Sequence, residues 1–229
     1  MTSRIVPGER SGVRLFLDTA DREALQRWLS TGLFHGVTTN PTILDRSGLR
    51  STIGDIAPLI SEILDYDVPE VQAQCWGTET EALVESGLAL AALDPRLVVK
   101  VPITEKGIRA VSVLHKHGVR TTLTAVYAAH QALTAAAAGA DYVAPYFGRI
   151  GDSGQDAPGI LRTMQQILVA SGRSTRLLVA SLRRADDLAL LASMGCDTFT
   201  FSPAVAEQLF SESLTIDAAA VFERTAAGL

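Results

Sequence analysis

The sequence repeats one pattern eight times: a short apolar run that favours a strand, a turn, then a segment with helical spacing. Strands that alternate with helices pair in parallel, because each crossover returns the chain to the same end of the sheet. Eight such units in 229 residues predict a single closed (β/α)8 TIM barrel, of class α/β. An open, doubly wound sheet is the structural alternative. Its dinucleotide-binding form has no support, because no G-x-G-x-x-G follows the first strand. A composition that is 47% hydrophobic suffices for a substantial core.

Residues 1–12 read as a flexible leader and 13–229 as the barrel, with an additional C-terminal helix at 216–227. Asp21 is placed to cap the first helix, and Thr78 with Glu81 to form a capping box for the third. The alanine-rich helix is expected over 126–138, and the glycine-containing stretch after the sixth strand reads as a loop. A net charge of −5 offers no basic face for nucleic acid. No apolar run is long enough to span a bilayer, and no signal-peptide pattern opens the chain. Cys75 and Cys196 lie far apart in apolar segments, as buried free thiols in a reducing compartment would. The expected location is cytoplasmic.

The fourth strand, Leu97-Val98-Val99-Lys100-Val101-Pro102, is a continuous apolar run with one lysine. Such a strand is covered on both faces, and Pro102 stops its ladder for want of an N–H. Lys100 therefore sits near the carboxyl end of a buried strand. Burying an unpaired ammonium is costly or forces its pKa down. A lysine that is partly neutral near pH 7 attacks carbonyls to form Schiff bases. The alternatives are that Lys100 snorkels to the surface or pairs with a carboxylate.

Barrel chemistry lies at the carboxyl ends of the strands. Those ends read Asp18, Thr39-Asn40, Gln74, Lys100, Thr124, Tyr146 with Arg149, Ser181 with Arg183 and Arg184, and Ser202-Pro203. Each has a plain structural reading beside the functional one. Asp18 either caps a helix or pairs with Lys100, and Asn40 before Pro41 suits a turn. Thr124 suits a helix cap and Tyr146 a core position. Gln72 and Gln74 share a parity, so both point to one side, and a polar layer inside a barrel is unfavourable unless it holds something. Arg149 and Ser181 are either solvated or suited to a phosphate. His35, His115, His117 and His130 do not cluster at metal-ligand spacing and read as structural or solvent-exposed; no metal is implied.

The segments Leu15-Phe16-Leu17-Asp18-Thr19-Ala20-Asp21, Gly36-Val37-Thr38-Thr39-Asn40-Pro41, Val98-Val99-Lys100-Val101-Pro102 and Tyr142-Val143-Ala144-Pro145-Tyr146 resemble signature segments of the transaldolase family. The likeness is closest to its small members and to fructose-6-phosphate aldolase, and runs from about Arg14 to the last helix. It implies a class I aldolase of carbohydrate metabolism, in the pentose phosphate chemistry, acting on sugar phosphates without a cofactor or metal. Lys100 matches the Schiff-base lysine and Asp18 the carboxylate that shuttles protons. Asn40, with Thr39 beside it, matches the holder of donor hydroxyls. Gln74, Thr124 and Tyr146 match a trio that positions a water for proton transfer. Arg149 and Ser181, followed by Arg183, match phosphate-binding residues. The resemblance also implies a homo-oligomer, a pentamer or a decamer of two rings, with the last helix reaching a neighbour.

Within the family, Gln74 and Tyr146 follow the aldolase, where transaldolases carry glutamate and phenylalanine. Gly148 follows the transaldolases, where the aldolase has asparagine. Thr122 follows neither, and Trp76 is bulky. The expectation is an aldolase cleaving the C3–C4 bond of a ketose phosphate such as fructose 6-phosphate, giving dihydroxyacetone and glyceraldehyde 3-phosphate. The close alternative is a transaldolase passing the dihydroxyacetone unit to another sugar phosphate, as from sedoheptulose 7-phosphate or to erythrose 4-phosphate. More distant ones are a metal-dependent aldolase or isomerase and a catalytically silent binding barrel.

Overall fold

Each of the eight apolar runs forms a strand: β1 Arg14–Asp18, β2 Gly36–Thr38, β3 Glu70–Gln74, β4 Leu97–Pro102, β5 Thr121–Val126, β6 Tyr142–Pro145, β7 Arg176–Val179 and β8 Thr198–Phe201. In this computed structural model, which describes residues 12–228, they pair in parallel and in chain order, and β8 closes on β1. The closure settles the barrel against the open sheet. The expected leader, residues 1–12, lies outside the described residues but for Gly12.

The helices are α1 Arg22–Leu29, α2 Pro41–Arg46, α3 Ile53–Leu64, α4 Thr80–Ala91, α5 Glu105–Lys116, α6 His130–Ala138, α7 Phe147–Asp152, α8 Ala157–Ser171, α9 Ala185–Ser193, α10 Pro203–Gln208 and α11 Ser213–Ala226. Alternate strand residues face outward and pack on these helices; Val37, Val71, Val99, Leu123 and Phe199 are fully or almost fully buried there. The other parity fills the lumen. Phe16, Val98, Tyr142, Ala144 and Leu178 form its apolar plug. Gly36 faces Glu70 so closely that a Cβ would lie 1.9 Å from the Glu70 carbonyl oxygen, so only glycine fits between β2 and β3.

The polar layer expected from the glutamine parity exists, and its lower part satisfies itself. Gln72 Nε2 donates to Glu70 Oε1 at 2.8 Å, and Thr122 Oγ1 donates to Gln72 Oε1 at 2.8 Å. Glu70 also accepts from Tyr142 at 3.1 Å and pairs with Arg120 at 2.7 Å. A buried carboxylate with this many partners is tolerated, and it gives the base of the lumen a fixed arrangement.

Several local expectations are corrected. Thr78 and Glu81 form no capping box: α4 starts at Thr80, and its N-cap Glu79 makes no side-chain cap bond. Lys106 Nζ binds Thr78 O and Glu79 there instead, at 3.1 and 2.6 Å. The alanine-rich helix begins at His130, not Val126, because β5 runs on through a bulge with Ala125 at φ +60°. Thr124 is thus a strand residue and caps nothing. The stretch after β6 is helical, as α7, and a further helix, α2, starts directly at Pro41, where proline at the first position fits. The last helix spans Ser213–Ala226, starting before the expected 216.

Candidate active site

One cavity of about 140 Å³ opens at the carboxyl end of the barrel. Asp18, Asn40, Lys100, Tyr146, Arg149 and Ser181 line it together with Thr42, Ile43, Arg46, Ala180 and Thr200. The remaining predicted residues lie behind or beside that lining.

Lys100 is 4% exposed, and its side chain makes no hydrogen bond among the described residues. The snorkelling alternative is therefore excluded. Burial lowers its pKa, and the Asp18 charge opposes that shift. β4 places it by register beside Gln74 of β3 and Thr122 of β5, so all three point into the lumen.

Asp18 ends β1. Thr38 Oγ1 donates to its Oδ1 at 2.6 Å, and Thr38 Oγ1 lies 2.6 Å from Thr200 Oγ1. A hydroxyl has one proton, so Thr38, which gives its own to Asp18, accepts from Thr200. The row of hydroxyls engages one oxygen of a carboxylate that lines the cavity. The helix-cap alternative for Asp18 falls, because Asp21 Oδ1 caps α1 through Ala24 N at 2.8 Å.

Asn40 is the cap of α2. Its Oδ1 accepts from Thr42 N and Ile43 N at 3.0 and 3.1 Å, which leaves its amide N–H groups to face the cavity. Thr39 is buried outside the lining, and its hydroxyl has no hydrogen-bond partner among the described residues.

The β5 bulge aims Thr124 at β6, where its Oγ1 lies 3.0 Å from the Tyr146 hydroxyl. Arg149 sits over the Tyr146 ring at 5.0 Å. The Tyr127 side chain beside it raises its pKa, so it stays cationic. Ser181 is held at φ +61°, a conformation that costs a non-glycine residue about 1 kcal/mol or more. Gly148 N donates to Ser181 O at 3.0 Å, and a Cβ on Gly148 would lie 2.4 Å from that oxygen. The close approach ties α7, and with it Arg149, to the end of β7.

Arg183 does not reach the lining; it pairs with Asp152 on the surface. Trp76 packs partly buried on the core, its backbone held by Ser86. Cys75 and Cys196 are buried and free, and desolvation pushes their thiols up to about 12 and about 11, so neither is a nucleophile at neutral pH. Among the described residues no group of His, Cys, Asp and Glu side chains is arranged to hold a metal.

Sequence reading missed Thr38, Thr200 and Arg46. Thr38 shares the parity of Gly36, and Thr200 that of Thr198, so lumen-facing periodicity was the available signal. Arg46 lies on a helix that the sequence reading omitted.

A family model described as Transaldolase/Fructose-6-phosphate aldolase matches residues 15–228. A protein of Methanococcus vannielii named "Probable transaldolase" is 36% identical over 203 residues, 89% of this chain and 92% of its own. One of the same name from Caulobacter sp. is 37% identical over 203 residues, 89% of this chain and 91% of its own. Among solved structures, thiamine phosphate pyrophosphorylase from Pyrococcus furiosus aligns with TM-score 0.57 at 17% identity, over 86% of this chain and 88% of that one. A mandelate oxidase variant aligns with TM-score 0.60 at 13% identity, over 87% and 68%. These two likenesses concern the fold alone.

Proposed function

The chain belongs to the transaldolase/fructose-6-phosphate aldolase family, and on that premise we propose that it is a Schiff-base aldolase of a ketose phosphate. The observation that carries the reading is Lys100, buried in a cavity it shares with Asp18 and Tyr146, its side chain without a hydrogen bond among the described residues. Desolvation lowers its pKa, the direction that favours the neutral, nucleophilic amine.

In the proposed cycle Lys100 Nζ attacks the C2 carbonyl of fructose 6-phosphate. Asp18 supplies the proton that lets the carbinolamine hydroxyl leave as water, which gives an iminium ion. The Asn40 amide holds donor hydroxyls. Asp18, left as the carboxylate, takes the C4 hydroxyl proton, the C3–C4 bond breaks, and its electron pair flows into the iminium. Glyceraldehyde 3-phosphate departs, steadied by Arg149 and Ser181, and an enamine of dihydroxyacetone remains. A water held by Gln74, Thr124 and Tyr146 protonates C3, and hydrolysis frees dihydroxyacetone and Lys100. The Thr124–Tyr146 contact supports this assignment, because it fixes a hydroxyl donor in the cavity that Lys100 lines.

Transaldolase is the second reading. It is favoured by the relatives' names and by the Gly148 approach, which an asparagine at that position could not make without displacing the Ser181 carbonyl. In that reading the enamine waits for an aldose phosphate.

Glyceraldehyde 3-phosphate release from fructose 6-phosphate, with and without erythrose 4-phosphate, separates the two. Release without acceptor is expected. Release only with acceptor assigns transaldolase. Borohydride with fructose 6-phosphate should label Lys100 in either case, and a Lys100→Ala variant that kept full activity would sink the Schiff-base mechanism.

A further inference from the structure

Arg46 lies in the last turn of α2, one turn beyond Thr42 on the same face. Thr42, Ile43 and Arg46 all line the cavity, so this face of α2 forms one wall of its mouth. Around that mouth the other arginines are engaged. Arg149 is stacked on the Tyr146 ring. Arg183 pairs with Asp152 and Arg184 with Asp186. The Arg46 side chain is exposed and has no hydrogen bond or ion pair among the described residues, although Asp45 is its neighbour in sequence.

Its position complements Arg149. α2 follows β2 and α7 follows β6, and these strands stand across the closed barrel from each other. Two guanidinium groups thus face one small mouth from opposite walls, with Asp18 the only carboxylate among the lining residues. A neutral sugar gains little from a second guanidinium. A phosphate, with several acceptor oxygens, can take donors from both sides at once.

We infer that Arg46 is a specificity-determining residue that grips the substrate phosphate from the wall opposite Arg149. The inference rests on the sugar-phosphate reading above. Arg149 is held by aromatic partners and supplies a fixed contact. Arg46, on a free side chain, closes on the anion after it enters.

The test is binding of sn-glycerol 3-phosphate, which has no carbonyl and so cannot react with Lys100, measured by calorimetry at fixed salt. Arg46→Gln is expected to weaken it about tenfold, the scale of one charge-assisted contact. Arg46→Lys, which keeps charge without the planar fork, is expected to recover part of that loss. In catalysis, the kcat/KM ratio for glyceraldehyde 3-phosphate over unphosphorylated glyceraldehyde, with dihydroxyacetone as donor, should fall similarly in Arg46→Gln, chiefly through KM. An unchanged affinity in Arg46→Gln overturns the inference, as does an equal loss on both acceptors. Borohydride trapping with dihydroxyacetone reports the Schiff-base reading separately. Its absence would end that reading while the calorimetric comparison still judged Arg46.

Discussion

Lys100 shows how a functional residue is paid for in stability. An ammonium buried in the lumen with only the Asp18 charge to offset it is unfavourable. Lys100→Met fills a similar volume without the charge. The variant is expected to lose borohydride labelling entirely and yet gain about 1–3 kcal/mol of stability, read as a higher thermal midpoint. The pH dependence follows with its sign. The native pKa lies below that of the unfolded chain, so between the two the unfolded state binds more protons and stability rises with pH. Lys100→Met should flatten that rise; a variant no more stable than the parent would contradict the cost assigned to burial. Lys100 was legible in the sequence because a lysine in a run of valines violates the local pattern. Thr38 and Thr200 were not, because threonine is ordinary in a strand. Only the register that brings β8 against β1 and β1 against β2 shows that their hydroxyls join in a row behind Asp18.

A helix with strong periodicity and a cap, such as α1 behind Asp21, matched the sequence reading. The short helices α2 and α7 did not, because six residues carry too little periodicity to register. The β5 bulge left no sequence mark, since it rests on a left-handed alanine. Those unread pieces carry Arg46, Arg149 and Thr124, so the least legible segments shape the site. At the opposite end of the barrel, the start of β2 brings His35 edge-on against Phe16 at 5.3 Å. Burial first, then the charges of Arg14, Arg176 and Arg120, lower its pKa from 6.5 to about 4. The folded state therefore resists protonating His35 while the unfolded chain accepts the proton. That contribution is complete above the unfolded value and is lost as pH falls toward about 4. Urea unfolding across this range should show a shallower acid decline in His35→Gln than in the parent. Equal slopes would place the acid sensitivity elsewhere.

At the scale of the whole molecule the closed barrel follows from eight repeats, whereas assembly does not follow from one chain. The helix α11 spans 14 residues, none of them buried. Leu214, Ala218, Val221 and Phe222 recur at i, i+4, i+7 and i+8, which places them on one face. Leu214 is 75% and Phe222 70% exposed, and Phe210 just before the helix is 56% exposed. A helix of this length is marginal in water without an apolar face to cover, and an exposed stripe of this kind marks an interaction site. We propose that a second copy of the chain covers it, and that the protein is a homo-oligomer, a pentamer or decamer as the resemblance implies. Light scattering should then give a mass that is a multiple of the 24.3 kDa chain. Phe222→Asp, on the exposed side of a helix outside the barrel, should shift the mass toward one chain while circular dichroism keeps the barrel signature. The cavity is lined wholly by residues before the helix, so dissociation should leave Lys100 open to borohydride trapping. A parent protein that already runs as one chain at micromolar concentration would refute the assembly. A dissociated variant that no longer traps would show that the neighbour's helix helps to shape the site.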